Sequence, residues 1–184
     1  MDRSLYKISN VNQMDPFLMI ITSGSDHWMY LSSTGCLTAG RIKAEYALFP
    51  YVTDDLLHRN AHFTGPITIL RIQQDSKNYI WEPFSKHKQP FNRENNLYKN
   101  SLGDTVVFEE KNHTLGLTYS YKWQASAEYG FVRKSSLINF GEKSIQVELL
   151  DGLRNIMPAG VELRTQQEMS NLANAYKVSE YMPD

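Results

Sequence analysis

The chain has 184 residues, with 19 basic and 20 acidic side chains and a net charge of −1. That length favours one domain, or one domain with an appendage, and the charge balance supplies no field to draw nucleic acid or an anionic membrane surface. A single cysteine, Cys36, excludes a disulfide framework and a cysteine-based zinc site.

The first apolar run, FLMIIT at 17–22, is too short to span a membrane or to act as an export signal. Met14, Asp15 and Pro16 precede it, where a signal would carry basic residues. The expected location is cytoplasmic, with no membrane partner. Residues 17–23 and 28–33 predict two strands joined by the turn-rich SGSD. Residues 34–66 hold no long period and contain Gly35, Gly40, Pro50, Gly65 and Pro66. They read as a long ordered loop or a set of short pieces. Tyr46, Phe49, Tyr51 and Phe63 argue against disorder there. Residues 67–73 and 78–82 predict a hairpin turning at QDSK, and 85–96 a polar surface loop.

Four β-type runs follow: DTVVFEEKN, HTLGLTYSYKWQAS, YGFVRKSSLINF and KSIQVELLD. Their connections are short, which predicts an antiparallel meander. In the third run Phe131, Arg133, Ser135, Leu137 and Asn139 share a face. In the fourth Ile145, Val147 and Leu149 oppose Gln146, Glu148 and Leu150. Long aromatic strands in succession predict a mainly β protein, a large antiparallel sandwich. DGLRNIMPAG at 151–160 reads as a loop or short turn. Beyond it, residues 161–181 predict a helix, with Thr165 as N-cap and Glu168 at capping-box spacing. Leu172, Ala175, Tyr176 and Ser179 keep one face of it. The expected division is a sandwich over 1–160 and a linker helix over 161–184 that leads toward a further domain.

The candidate chemistry is sparse. Asp54 and Asp55 are adjacent, so in extended chain they point apart and make a poor acid–base pair. They read either as a helix cap before LLHRN or as partners of a distant carboxylate. Glu109 and Glu110 face opposite sides of a strand and read as a solvated edge. His58 and His62 have ligand-like spacing, to which Asp54 or Asp55 could add a third ligand, but no zinc motif surrounds them. GCLTAGRI, from Gly35, lacks the Lys-Ser/Thr of a phosphate loop. Cys36 reads as a buried thiol. No cofactor is predicted. Aromatic platforms beside paired polar groups, the combination a sugar requires, occur over Arg41–Asp55, at Trp81-Glu82, and around Tyr121, Trp123 and Glu128.

GFVRKSSLINFGEKSIQVELLDGLRNIMPAG resembles the last strands of the large N-terminal β-sandwich of glycoside phosphorylases and related glycoside hydrolases. That domain is the galactose-mutarotase-like supersandwich. WMYLSSTGCLTAGRIKAEYALFPYVTDD resembles the N-terminal motif of large bacterial proteins of the same layout. The resemblance covers roughly residues 14–180 and implies an antiparallel β-supersandwich with a C-terminal linker helix. It also implies a downstream helical barrel in cis that carries the general acid. The sandwich would shape the rim of the active site, help to form a homodimer and touch carbohydrate. No catalytic residue carries over. A free mutarotase needs a His and Glu pair over the sugar, and His113, Glu128 and Glu148 stand in no such motif. The expectation is a non-catalytic domain of a larger carbohydrate-active enzyme. The alternatives are an autonomous carbohydrate-binding module and a stand-alone aldose epimerase. The residues expected to face a glycan or a partner domain are Arg41, Glu45, Tyr51, Asp54 and Asp55.

Overall fold

Alternation of buried and open side chains decides the layers. In the computed structural model, which describes residues 4–158, 160–169, 172 and 175–177, the strands are β1 (Leu5–Ser9), β2 (Leu18–Ile21), β3 (His27–Ser32), β4 (Leu37–Arg41), β5 (Gly65–Gln74), β6 (Lys77–Trp81), β7 (Arg93–Asn100), β8 (Thr105–Asn112), β9 (Leu117–Ser126), β10 (Gly130–Asn139) and β11 (Gln146–Arg154). Short helices accompany them, among them α1 (Asp54–Arg59) and α2 (Leu163–Glu168). Among the described residues the strands form three antiparallel sheets, ordered β1-β7-β8-β9-β10, β11-β5-β6 and β2-β3-β4.

Val106 and Phe108 of β8 and Leu117, Tyr119, Tyr121 and Trp123 of β9 are buried on one face of the five-stranded sheet. They meet Leu70, Ile72 and Trp81 from the second sheet and Met29, Leu31 and Leu37 from the third in a single core. The molecule is therefore a β-sandwich, with one large sheet facing two small ones. Each large side chain fully buried there contributes roughly 1.5–3 kcal/mol. The third predicted run behaves as expected: Phe131, Arg133, Ser135 and Leu137 are half-buried, and Val132, Lys134, Ser136 and Ile138 are exposed. The hairpin of β5 and β6 also forms. Asp75 and Ser76 take φ of 49° and 62°, the left-handed pair that a two-residue hairpin turn requires.

Four expectations need correction. The fourth run does not continue the meander: β11 leaves β10 and pairs with β5, Leu149 opposite Leu70. Its alternation also fails at Leu149, which is exposed while Val147, Asp151 and Leu153 of the same row are half-buried. The strand runs on through Asp151-Gly152 to Arg154, where a loop was expected, because that stretch keeps its partners Thr68, Ile67, Pro66 and Gly65 on β5. The polar stretch 85–96 is a surface loop only in its first part. From Arg93 it becomes β7, between β1 and β8, and its amides are used across the sheet: Asn96 Nδ2 donates to Glu109 Oε1 at 3.0 Å. Cross-strand pairing overrides low strand propensity here. Residues 34–66 form a set of short pieces, as one of the two expectations had it: the paired strand Leu37–Arg41, the helix Asp54–Arg59 and two single turns at Ala44–Tyr46 and Asn60–His62.

The C-terminal helix is interrupted where its pattern is continuous: α2 ends at Glu168, and among the described residues beyond it Leu172 and Ala175 are again helical. Thr165 lies inside α2, whose N-cap is Glu162, and the helix closes at Met169, where φ is −137°. Leu172 and Tyr176 are exposed, and Ser179 lies outside the described residues. What fastens α2 is Gln166, 1% exposed. Its amide donates to the carbonyls of Ala44 and Val161 at 3.0 and 2.7 Å, and its oxygen accepts the Tyr51 N–H at 3.1 Å.

Candidate functional site

Gly40 sets the local geometry. In the β3–β4 ladder Trp28 lies opposite Gly40 and Met29 opposite Ala39. A Cβ on Gly40 would lie 2.6 Å from the Trp28 ring, 2.6 Å from the Tyr46 carbonyl oxygen and 2.7 Å from the Ala47 Cα. Only glycine lets the indole and the 44–47 segment close over β4 together. Ala47 bridges to Gly40, and the Leu48 N–H donates to the Ala39 carbonyl at 2.7 Å. β4 thus separates two surfaces.

The outer surface is aromatic. Trp28 stands 5.9 Å from Tyr30 and meets Tyr51 edge-on at 5.7 Å, ring centre to ring centre. The inner surface is an open-sided cavity of about 560 Å³. Met29, Ala39 and Phe49 line it from the β4 side, Trp123 and Phe131 from the five-stranded sheet, and Leu153 and Met157 close it. The Met157 N–H is pinned to the Leu48 carbonyl at 2.7 Å.

The five sequence candidates do not converge. Arg41 sits at the cavity mouth, where its Nη2 and Nε donate to Asp26 at 2.8 and 3.3 Å. That hydrogen bond holds the Asp26 carboxyl below its usual range. Glu45 lies 4.0 Å from Lys43, whose ammonium stands over the Tyr46 ring. Tyr51 belongs to the outer aromatic surface. Asp54 and Asp55 occupy the first turn of α1, one step inside the N-cap Thr53, so the cap itself is corrected by one residue. Thr53 Oγ1 donates to Asp55 at 2.6 Å, which lowers the pKa of Asp55. Carboxylates there also meet the positive end of the helix dipole.

His58 Nδ1 contacts Ser32 Oγ at 2.8 Å, and the His62 ring lies tilted against that of His87, 5.5 Å between centres. Among the described residues, no group of three or more His, Cys, Asp or Glu side chains is placed to hold a metal. Cys36 is buried, and burial pushes its thiol up to about 12, far from a reactive thiolate.

The strongest electrostatics lie at residues the sequence reading passed over. Asp151 accepts Arg133 Nη1 and Nη2 at 2.8 Å each, Thr68 Oγ1 and Ser135 Oγ at 2.7 Å each, and the Tyr119 hydroxyl at 2.9 Å. Burial opposes its charge, but the bonds from Arg133, Ser135, Thr68 and Tyr119 outweigh burial and hold the carboxyl well below its usual range. The cluster ties the edge strand β10 of one layer to the edge strand β11 of the other. A signal was present in the sequence, since Arg133 falls in the inward row of β10 and a buried guanidinium needs an anion.

Glu110 corrects the solvated-edge reading. It lies on the interior strand β8, and its side chain is fully buried. It accepts the Trp81 indole N–H at 2.8 Å, the Phe84 N–H at 2.7 Å and Asn95 Nδ2 at 3.1 Å, with Arg93 at 3.5 Å. Glu109, on the opposite face, accepts Asn96 and the Tyr98 hydroxyl.

The sequence matches no protein-family model and no curated protein. Among the described residues, no helix is long and apolar enough to cross a membrane.

Proposed function

We infer that the chain is a non-catalytic β-sandwich domain of a larger carbohydrate-active protein. It braces a catalytic domain in cis and lends its outer aromatic surface to a glycan. One observation carries the non-catalytic part: Asp151, the acid with the most activated surroundings, is saturated by four side chains that join the two layers. An acid whose oxygens are all engaged in holding strands together has no lone pair to offer a substrate. Glu110 is enclosed in the same way.

Trp28, Tyr30 and Tyr51 support the glycan contact. Flat apolar rings at a partly open surface match the apolar faces of a sugar, and Tyr51 is 37% exposed. Exposed Leu150 and Ile80, on one face of the β11-β5-β6 sheet with Ile69 between them, support contact with a neighbouring domain, since apolar surface on one face marks interaction sites. A glycan array read with the full chain tests the glycan contact. The expected result is selective binding that Tyr51→Ala weakens about tenfold, a loss of about 1.4 kcal/mol, with an unchanged unfolding midpoint. Binding indifferent to Tyr51→Ala, or no binding to any glycan, removes that contact.

A further inference from the structure

The cavity on the inner side of β4 is a different surface from the aromatic one and does not rest on the glycan reading. We propose that it is a binding site for an uncharged small molecule with a ring-bearing apolar body. Its volume of about 560 Å³ falls in the range of small-molecule pockets. Phe49, Trp123 and Phe131 offer ring faces and edges, and Met29 and Met157 are unbranched side chains that adapt to a ligand's outline.

The charge pattern selects a neutral occupant. Among the described residues, Arg41 is the one Lys or Arg side chain lining the cavity, and Asp26 already neutralises it at 2.8 Å. His27 also lines it, with Nδ1 turned to Ser25 Oγ at 2.7 Å and to Asp26 at 3.4 Å. Among the described residues, no acidic side chain lines it. A charged ligand would lose its water against apolar walls and gain no free counter-charge. A sugar would leave most of its hydroxyls unpaired there.

Two local costs fall on this cavity. Ile42, at the mouth, has φ of 57°, a left-handed backbone that a β-branched residue rarely adopts, and is 69% exposed. The Trp123 indole N–H is buried and finds no acceptor among the described residues. Stability alone would select against both, and such costs gather where a site is being shaped.

The test is a fluorescence titration of the full chain with the uncharged dye N-phenylnaphthylamine and, in parallel, its sulfonated analogue anilinonaphthalene sulfonate. The two share a ring body and differ in charge. The expected result is saturable binding of the neutral dye and at least about tenfold weaker binding of the anion. Ile42→Glu should weaken the neutral dye about tenfold. Ile42 is exposed, so this variant should fold as the parent does, checked by its unfolding midpoint. Ala39→Leu, which fills the floor, should abolish binding where it folds. Binding that does not saturate, equal affinity for the two dyes, or indifference to Ile42→Glu overturns the proposal.

Discussion

Asp151→Asn is expected to remove about 3 kcal/mol of folding stability. For a chain of this length that lowers Tm by about 6–12 °C. The reason is the company Asp151 keeps. Arg133 spans it with both terminal nitrogens, and the side chains of the pair are only 11% and 19% exposed. An asparagine leaves the guanidinium without its anion and turns an NH2 group toward the hydroxyls of Ser135, Thr68 and Tyr119. Both effects strand buried polar groups, and stranding costs more than the intact pair contributes. The pH dependence has a definite sign. The folded pKa of Asp151 lies below its usual value. Its contribution is therefore present above the unfolded pKa of about 4 and is lost as pH falls from there toward the folded value. Urea denaturation of the two proteins should show a full gap at neutral pH that narrows below about pH 4. A constant gap would remove the ion pair as its source.

Glu110→Gln is expected to cost about 2–3 kcal/mol at neutral pH. Trp81, Phe84 and Asn95 all present N–H donors to this carboxylate. A glutamine keeps one acceptor and points a new donor into the group. The coupling is directional: once Trp81→Phe has removed one donor, the same Glu110→Gln change should cost less. A double-mutant cycle by equilibrium denaturation measures that difference. Additive single and double costs would mean that the indole bond contributes nothing specific. Trp81 is itself fully buried, so its own substitution also carries a packing cost that the cycle subtracts.

Period-two alternation marks β5 and β10, because one face of each is more buried and the pattern records that burial, while β6, β8 and β9 are legible as β-type runs with short connections. β7 carried no such mark. RENNLYKN is polar, and its strand form comes from neighbours on both sides, which sequence spacing cannot display. The end of β11 was hidden by Asp151-Gly152, a pair that reads as a turn until Arg133 is found opposite. The site was less legible than the fold. Arg41, Glu45, Tyr51, Asp54 and Asp55 lie in one contiguous stretch, and contiguity does not bring side chains together. The cavity walls come from Met29, Ala39, Phe49, Trp123, Phe131 and Met157, which belong to distant segments. Gly40 was visible as a break in pattern, but its role needs the indole of Trp28 lying against it.

The domain is read as one that holds strands, a neighbour and ligands in place without performing chemistry of its own. Asp151 and Glu110 are the acids best placed to contradict that reading. The most direct measurement is the rate at which the purified chain interconverts the anomers of common aldoses, followed by NMR. The expected result is the buffer rate, unchanged by added protein. Acceleration that is proportional to protein and lost in Asp151→Asn or Glu110→Gln, under conditions where the variant remains folded, would contradict it.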